Sequence, residues 1–546
     1  MSTIIFRTNA GQNTGLGHLV RCAHLCRELM KNGAACLFVL DFVEDGIADF
    51  LDGLDVRSLY DGAQDELDPH KDAQRFLNIA KVENADWVIV DDYRLGEEWE
   101  SPIQEVGYKV CVIDDLLRKH QCDLLIDFRW RGEKTQSLYD SQVPPEARKL
   151  LGPDYVLLSE VYRNAPPQKS PDKPFTILLG LGGGGPLDQC ERILDSLLLH
   201  ALDYEQEIRL CPILGPLSPN TESFLQRYQN CKTVTPIVGE TELYPHLCQA
   251  DFYIGAAGGI LYQLLALKVP ALTFPLSENQ HTDLGQLEDI GHFFHVENWS
   301  ENNIEKLPAF VKTVMQNEER IKLLHATPKV PLDALGTRRV AHVLLGLEPC
   351  APPAKAASSY PDDHGEELSP GYCIRPVTDR DMNHFLVSRN LNANCQNMIR
   401  ANKISFMDHY SWWFKTKRSS FLLTKNGAPC LYIWHEVLPS HEQDYLIGGW
   451  FVCNENAGFQ DVMLLLNWQL EYCDKHVPGV PWIAVIHRQN KYVKLMNDYY
   501  GFQDVDPATP YGAAIADIFE GAHLDEFYFV SRAPSPSNPN EGLRPF

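Results

Sequence analysis

Short apolar runs alternate with helical patterns along the chain, from its start to about residue 345. Runs of this length, bounded by turn residues, are typical of strands buried in a parallel sheet. The first series lies at Ile4–Phe6, Ala35–Leu40, Trp87–Val90, Lys109–Ile113 and Leu124–Ile126. The second series lies at Thr176–Leu179, Ile208–Ile213, Phe252–Ile254 and Ala271–Phe274.

A proline-rich passage at residues 165–174 separates the two series. Two strand–helix series joined by such a hinge predict an α/β fold with two doubly wound Rossmann-type domains, at residues 1–165 and 174–346. We expect the ligand of such a pair in the cleft between the domains, at the carboxyl ends of the strands.

The pattern changes after residue 346. Residues 347–371 are rich in Pro, Ala, Ser, Asp and Glu, a composition typical of an interdomain linker. A third domain is predicted at residues 372–530, with strand-like stretches at Phe421–Thr424 and Tyr445–Val452. Residues 531–546 carry Pro and Ser throughout and predict a flexible tail.

Charge and composition narrow the classes of function. The 73 acidic and 48 basic side chains leave a net charge of −25, which disfavours nucleic acid and anionic membrane surfaces as partners. No stretch approaches the ~18 consecutive apolar residues of a membrane span, and the first residues lack the pattern of a signal peptide. Fifteen cysteines without a CxxC pair fit reduced thiols in the cytoplasm, and we expect no metal site.

The first candidate chemistry lies where the first predicted strand turns into a helix. Gly15 and Gly17 allow the backbone to approach a ligand closely, His18 presents a proton acceptor, and Arg21 follows one helical turn later. The alternative interpretation is a tight turn with a histidine at the helix entry.

Polar residues also end the third strand of the first series, at Asp91, Asp92 and Tyr93. In such sheets the carboxyl ends of the strands face the ligand, so these side chains are expected near His18. At least one of the two aspartates is expected to cap the following helix instead.

Two glycine-rich turns follow strands of the second series. Free backbone N–H groups and a helix N-terminus there suit the phosphates of a nucleotide diphosphate, although no Lys–Ser/Thr pair completes a P-loop. The candidate binding residues in these turns and after the next strand are Gly182, Gly183, Gly184, Gly258, Gly259, Asn279 and Gln280.

These motifs resemble the nucleotide-sugar hydrolases of pseudaminic-acid biosynthesis. The matching segments, in order over residues 1 to about 345, are Phe6-Arg-Thr-Asn9, Gly15-Leu-Gly-His-Leu-Val-Arg-Cys22, Val90-Asp-Asp-Tyr93, Leu151–Leu158, Gly182–Gly185, Gly255–Gly259 and Glu278-Asn-Gln280. The resemblance implies a GT-B-like pair of domains that releases UDP from a UDP-diacetamido-trideoxy hexose, with water as acceptor and no cofactor. It implies that His18 is the catalytic histidine and that Tyr93 and Asn279 surround the reacting sugar.

The chain departs from this family at two positions. Where the family has a Glu that binds the nucleotide ribose, in the helix after Gly259, this chain has Gln263. An amide still donates and accepts hydrogen bonds but is a weaker partner for a ribose diol. The early Arg-x-Asp of the family is Arg7-Thr-Asn9 here.

The third domain resembles GNAT acetyltransferases at Tyr372–Asp381 and at Ile483–Phe502. The resemblance implies acetyl-CoA as the cofactor of an active domain, with Asn490 at its site. In an active domain, His435, Glu436, His487 or Tyr499 is expected to contact the amine, and their spacing does not decide among them. The segment that would cradle the pyrophosphate contains Asn456 and a single glycine, Gly458, but no basic residue, and it has acids at Glu455 and Asp461. Acids oppose a pyrophosphate, so a structural or sugar-binding role is expected as readily as catalysis.

The leading hypothesis is therefore a hydrolase that cleaves a nucleotide-activated diacetamido-trideoxy hexose in nonulosonic-acid biosynthesis, with N-acetylation as a second activity if the third domain is active. The alternative is a GT-B glycosyltransferase with a donor such as a CMP-nonulosonic acid, in which the third domain contacts a glycan acceptor. A third hypothesis, from another class, is a sugar-binding protein without catalysis.

Overall fold

The computed structural model describes residues 2–11, 15–43, 47, 49–62, 64, 66–164, 173–182, 187–276, 280–352, 365–441 and 443–534. The chain divides into two compact units, residues 1–358 and 359–546. Two parallel sheets lie in the first unit and one mixed sheet lies in the second.

The first sheet consists of seven parallel strands in the order β3-β2-β1-β4-β5-β6-β7. They are β1 (Thr3–Thr8), β2 (Ala35–Leu40), β3 (Asp55–Ser58), β4 (Trp87–Asp91), β5 (Lys109–Ile113), β6 (Leu124–Asp127) and β7 (Arg148–Leu151). The helices of this region are α1 (Gly17–Lys31), α2 (Pro69–Glu83) and α3 (Glu97–Glu105). The strand order reverses between β1 and β4, which is where an open α/β sheet leaves a crevice for a ligand.

The second sheet has six parallel strands in the order β10-β9-β8-β11-β12-β13. They are β8 (Phe175–Gly180), β9 (Ile208–Leu214), β10 (Ile237–Val238), β11 (Phe252–Ala256), β12 (Ala271–Phe274) and β13 (Phe294–His295). Its helices are α4 (Leu187–Leu199), α5 (Thr221–Tyr228), α6 (Tyr244–Leu247), α7 (Ile260–Leu267), α8 (Leu284–Asp289), α9 (Glu301–Gln316) and α10 (Glu318–Ala326). Here the order reverses between β8 and β11, the strands that precede the two glycine-rich turns.

A last helix of the first unit, α11 (Gly336–Leu345), returns from the second sheet to pack against α1. Thr337 donates a hydrogen bond from Oγ1 to the carbonyl of Leu158, 2.6 Å away. A Cβ at Gly336 would lie 2.3 Å from the carbonyl oxygen of Val156, so only glycine permits this approach. One hydrophobic core therefore runs through both sheets.

The second unit is an α+β region around an eight-stranded sheet in the order β14-β15-β16-β17-β18-β19-β21-β20. Its strands are β14 (Glu366–Ser369), β15 (Tyr372–Pro376), β16 (Ser419–Lys425), β17 (Ala428–Ser440), β18 (Gln443–Val452), β19 (Trp482–His487), β20 (Gln503–Asp504) and β21 (Phe527–Arg532). Its helices are α12 (Met382–Arg389), α13 (Asn392–Cys395), α14 (Phe406–Trp413), α15 (Phe459–His476), α16 (Lys491–Tyr499) and α17 (Pro510–Ile518). Only β18 and β19 pair in parallel, and α15 is their crossover.

The structure confirms the predicted fold class and all nine strands predicted for the two parallel sheets. It corrects the predicted linker at its end, because β14 lies within residues 347–371 and pairs with β15. Pro370 and Gly371, at the end of the predicted linker, form the turn of this hairpin, with Gly371 in the left-handed region (φ +82°). The predicted tail at residues 531–546 is wrong at its start, because β21 extends to Arg532. Residues 353–364 of the linker and 535–546 of the tail lie outside the described residues. Within the described ranges, no helix is both long and apolar enough to cross a lipid bilayer.

Candidate active site

His18 lies at the point where the first sheet reverses its strand order. Gly15 adopts a left-handed conformation (φ +74°), and α1 begins two residues later, which places His18 in its first turn. Because β4 pairs directly with β1, Asp91 at the end of β4 lies beside this turn. Nδ1 of His18 is 2.6 Å from Oδ1 of Asp91, and the histidine is 6% exposed.

Asp91 holds both His18 and Arg21. Arg21 donates from Nε and Nη2 to the two carboxylate oxygens of Asp91, each over 2.6 Å. Burial alone raises the pKa of Asp91, but the charges of Arg21 and His18 outweigh it and hold that pKa well below its usual range. Asp91 is therefore an anion at neutral pH and accepts the Nδ1 proton of His18. Nε2 is then the ring nitrogen of His18 that is left to exchange a proton with a ligand.

Tyr93 connects this pair to the next strand. Its ring meets the His18 ring edge to face, with centroids 4.4 Å apart, and its hydroxyl donates to Oδ1 of Asp115 over 2.5 Å. Asp115 follows β5 and also lies 3.4 Å from Nη1 of Arg21. Asp92, in contrast, accepts from Nε of Arg94 over 2.9 Å. Asp91 is thus the aspartate that faces His18.

A cleft of about 250 Å³ lies between the carboxyl edge of the first sheet and the loop after β12. The first sheet contributes Asp115, Arg129 and Arg131 to its lining, and the loop contributes His281 and Thr282. Arg129 spans the cleft, because its Nη2 donates to the carbonyl oxygen of His281 and to Oγ1 of Thr282. The two sheets therefore meet here through polar and charged groups of both signs.

Tyr262 on α7 fixes the second sheet against the first. Its hydroxyl donates to the carbonyl oxygen of Phe128 over 3.2 Å, and its ring packs edge to face on the Phe128 ring. Beside it, Nε1 of Trp130 donates to Oδ2 of Asp289 over 3.1 Å. These contacts hold the segment after β6 in place at the edge of the cleft.

Glycines at the ends of β8 and β11 have a packing role of their own. Gly180 and Gly255 are paired across the two strands, and a Cβ at Gly255 would lie 1.9 Å from the carbonyl oxygen of Gly180. The buried hydroxyl of Tyr253 donates to that same carbonyl over 2.7 Å. These two glycines are therefore required by the fold, whether or not a ligand binds.

The predicted binding glycines nearby have open surroundings. No described atom lies within 4 Å of a Cβ placed at Gly17, Gly182 or Gly259, and a Cβ at Gly258 would meet the side-chain amide of Gln280 at 3.5 Å. Gln280 itself closes its loop by accepting from the backbone N–H of Leu276 over 2.9 Å, so the structure brings this amide to the second glycine turn. The predicted residues Asn279, Gly183 and Gly184 lie outside the described residues.

Gln263 lies on the first turns of α7, after Gly259. Its Oε1 is buried and accepts no hydrogen bond from a described residue. The start of α7 has neither a capping side chain nor an acid in its first turn, and the same holds for α1. Among the described residues, no three His, Cys, Asp or Glu side chains are grouped to hold a metal ion.

The start of α15 in the second unit is occupied by the chain itself. Asp461 is 1% exposed and accepts from the backbone N–H of Gly458 over 2.8 Å, from Tyr372 Oη over 2.6 Å and from Lys425 Nζ over 3.0 Å. Burial alone raises the pKa of Asp461, but these donors outweigh it and lower that pKa. A carboxylate therefore caps the start of α15, and its negative charge there opposes a pyrophosphate.

The other residues predicted for an acetyl-CoA site have local roles. The backbone N–H of Asn456 donates to Oδ1 of Asn454 over 2.9 Å. Asn490 is the N-cap of α16, where its side chain accepts from the N–H of Val493. Tyr499 is 76% exposed near the end of the same helix. Their described contacts join none of them to Gly458.

Sequence reasoning missed the polar residues that follow β5 and β6 and the loop after Gln280. Asp115, Arg129 and Arg131 come directly after apolar strands that were predicted correctly, so the rule that singled out Tyr93 applies to them equally. His281 and Thr282 follow the predicted Asn279–Gln280 pair. Polar residues at the carboxyl end of a buried strand therefore mark β5 and β6 as well as β4.

A search against family models finds no match for this chain. The chain is 25% identical over 182 residues to the UDP-2,4-diacetamido-2,4,6-trideoxy-beta-L-altropyranose hydrolase of Campylobacter jejuni. This match covers 33% of the chain and 60% of the relative's length. The chain is thus similar to a nucleotide-sugar hydrolase over a limited span.

Solved structures similar to part of this chain include MurG of Acinetobacter baumannii, at 15% identity over 63% of this chain and 100% of that chain, with a TM-score of 0.43. Staphylococcus aureus MnaA with UDP matches at 14% identity over 65% of this chain and 100% of that chain, with a TM-score of 0.46. A protein named as a phosphinothricin N-acetyltransferase matches at 16% identity over 30% of this chain and 99% of that chain, with a TM-score of 0.25.

Proposed function

We propose that the first unit hydrolyses a nucleotide-activated sugar, releasing UDP from a diacetamido-trideoxy hexose on a route to nonulosonic acids. The observation that carries this proposal is the His18–Asp91 pair, which lies where the first sheet reverses its strand order and is joined by Tyr93 and Asp115 to the cleft. The 25% identity to a hydrolase of a UDP-diacetamido-trideoxy sugar supports the same substrate class.

His18 acts as the base in this proposal. Water is a weak nucleophile at an anomeric carbon, and Nε2 of His18 accepts its proton as the new C–O bond forms. Asp91 holds the other nitrogen at 2.6 Å, which fixes the tautomer and stabilises the imidazolium that results. Arg21 keeps Asp91 ionised throughout, because it donates to both carboxylate oxygens.

The departing nucleotide is bound by the second sheet. The uncapped start of α7 and the open glycines Gly182, Gly258 and Gly259 present backbone N–H groups suited to phosphate oxygens. Gln263 has an unpaired side-chain oxygen in the same helix and is proposed to bind the ribose hydroxyls. Asn279 remains a proposed contact of the sugar.

The test is to mix the purified chain with UDP-2,4-diacetamido-2,4,6-trideoxy-hexose and to follow free UDP and free sugar together. Equal amounts of both, lost in His18→Ala, are expected for hydrolysis. UDP release that requires an added glycan would instead establish transfer to an acceptor. If neither product forms from this donor or from a CMP-nonulosonic acid, the chain is a sugar-binding protein and the proposal fails.

For the second unit we propose a role without acetyl transfer. The support is the carboxylate of Asp461 at the start of α15, where it occupies the helix N-terminus and repels a pyrophosphate. Calorimetric titration of the full chain with acetyl-CoA is expected to give no heat up to millimolar ligand. Saturable binding would overturn this role.

A further inference from the structure

A second imidazole faces the cleft from the opposite sheet. His281 lines the cleft, its side chain is 49% exposed, and its carbonyl oxygen accepts from Arg129. Nδ1 of His281 contacts Oε1 of Glu297, which follows β13. His18 and His281 therefore each carry a carboxylate on Nδ1, one from each sheet.

Glu297 is itself held by a chain of hydrogen bonds that runs into the second sheet. Its Oε2 lies 3.1 Å from Nε2 of His295, and Nδ1 of His295 lies 2.9 Å from Oγ1 of Thr273. Oγ1 of Thr273 lies 2.7 Å from Nε2 of His292. Thr273, His292 and His295 are all buried, so the hydrogen bonds among them are shielded from water.

One arrangement of protons satisfies all the hydrogen bonds from Glu297 to His292. Burial lowers the pKa of both His292 and His295, so both rings are neutral at neutral pH. His295 then donates from Nε2 to Glu297 and accepts at Nδ1 from the hydroxyl of Thr273, which in turn accepts from Nε2 of His292. Glu297 thus accepts from the neutral ring of His295 at Oε2, and its other carboxylate oxygen contacts His281.

A carboxylate bonded to Nδ1 fixes the ring orientation of His281. Nε2 of His281 makes no hydrogen bond to a described residue and belongs to the half-exposed side chain that lines the cleft. The charged groups around it are Asp115 and Arg131 after β5 and β6, Arg129 on its carbonyl, Asp283 on its own loop and Glu297 behind it.

We propose that His281, positioned by Glu297, is a second catalytic residue that donates a proton from Nε2 to the leaving diphosphate. This inference rests on the proposed hydrolysis. As the oxygen of water bonds to the anomeric carbon, its proton passes to Nε2 of His18. The bond from that carbon to the phosphate oxygen breaks, the oxygen keeps the electron pair, and it takes the proton of His281. Base and acid thus come from the two different sheets of the first unit.

The experiment compares His281→Gln, Glu297→Gln and Glu297→Asp with the matched control His246→Gln. His246 is another histidine of the first unit that pairs with a glutamate, Glu240, at 2.7 Å, but it does not line the cleft. We expect His281→Gln to lower kcat about 100-fold and to remove the fall of kcat at high pH, because the rate then no longer depends on a protonated acid. Glu297→Gln is expected to lower kcat about tenfold, with recovery in Glu297→Asp and no change in the control.

Calorimetric titration of each variant with UDP separates this inference from the proposed hydrolysis. If the wild-type chain releases UDP while His281→Gln keeps both its kcat and its pH profile, the inference is overturned and the hydrolysis stands. If the wild-type chain releases nothing, the hydrolysis fails and UDP binding decides the role of His281. Weaker binding by His281→Gln than by His246→Gln then retains His281 as the diphosphate contact, whereas equal binding removes it.

Discussion

Two strand-to-helix junctions in this chain, at the starts of α1 and α15, differ in whether an acidic side chain of the helix itself caps the helix N-terminus. At the start of α1 there is neither a capping side chain nor an acid in the first turn, and His18 is held from the neighbouring strand by Asp91. At the start of α15, the helix's own Asp461 turns back to the N–H of Gly458. A helix N-terminus is thus open to an anionic ligand only where the chain has not already supplied the anion.

The largest effect is expected from a substitution at the open junction, the start of α1. His18→Ala should lower the turnover of a nucleotide sugar by about 10²–10⁴-fold, because the base that accepts the proton of water is lost. Affinity for UDP, measured by calorimetry, should stay within about twofold, since the phosphates contact the other sheet in our proposal. Turnover within a few fold of wild type would mean that the open junction has no catalytic role.

The same junction should be sensitive in its stability. Asp91→Asn should lower the free energy of unfolding of the first unit by about 3–5 kcal/mol, because the partly buried Arg21 loses the nearer of its two carboxylate partners. Denaturant unfolding followed by tryptophan fluorescence measures this change. The matched control is Glu240→Gln, which breaks the exposed ion pair with His246 and should cost at most about 1 kcal/mol. Equal effects of the two substitutions would contradict the described charge network.

The self-occupied junction should respond less. Asp461→Ala removes the acceptor for the Gly458 amide and should destabilise the second unit by about 1–2 kcal/mol. Because the pKa of Asp461 is lowered in the folded unit, its contribution is present above the unfolded carboxyl pKa of about 3.9 and is lost as the pH falls through the folded pKa. Melting curves between pH 2 and 5 should therefore converge for wild type and variant. Curves that stay parallel would exclude this role.

The smallest expected effect is a dependence of the stability of the first unit on pH. Burial alone lowers the pKa of His120 in the first unit, but Asp114 and Glu100 outweigh it and raise that pKa to about 9. Its contribution to stability is complete below the ordinary histidine pKa of about 6.5 and is lost as the pH rises through about 9. The melting temperature of the first unit should fall by a few degrees between pH 7 and 10 in wild type and stay level in His120→Gln. An equal fall in both proteins would assign it to other groups.

The apolar pattern was sufficient for the central strands, because strands buried on both faces consist of uninterrupted apolar residues. It could not identify β3, with the sequence Asp-Val-Arg-Ser, or β7, with Arg-Lys-Leu-Leu, since edge strands need no such run. For the site, the sequence identified His18 and Tyr93 but not that Asp91, rather than Asp92, is the partner of His18. That choice depends on the direction of each side chain at the end of β4, which depends on the pairing with β1.

For Asp461, the sequence predicted the negative charge near Gly458 but not the contact that its carboxylate makes. The sequence indicated that acids near Gly458 oppose a pyrophosphate, whereas the structure places one of them directly on the helix N-terminus. Likewise, Asn490 fitted a cofactor contact by its place in the motif, yet its side chain caps α16. Short polar residues before a helix serve both purposes, and only the backbone geometry separates them.

The return of α11 to α1 has a consequence for how the protein is made. The face of α1 is synthesised before its cover, because α11 emerges only after every strand of the second sheet. Until then, a nascent chain exposes apolar surface on α1 next to a completed first sheet, which is a hazard for aggregation. Ribosome-bound chains that stop before Gly336 should therefore recruit chaperones, whereas chains that extend past Leu345 should release them.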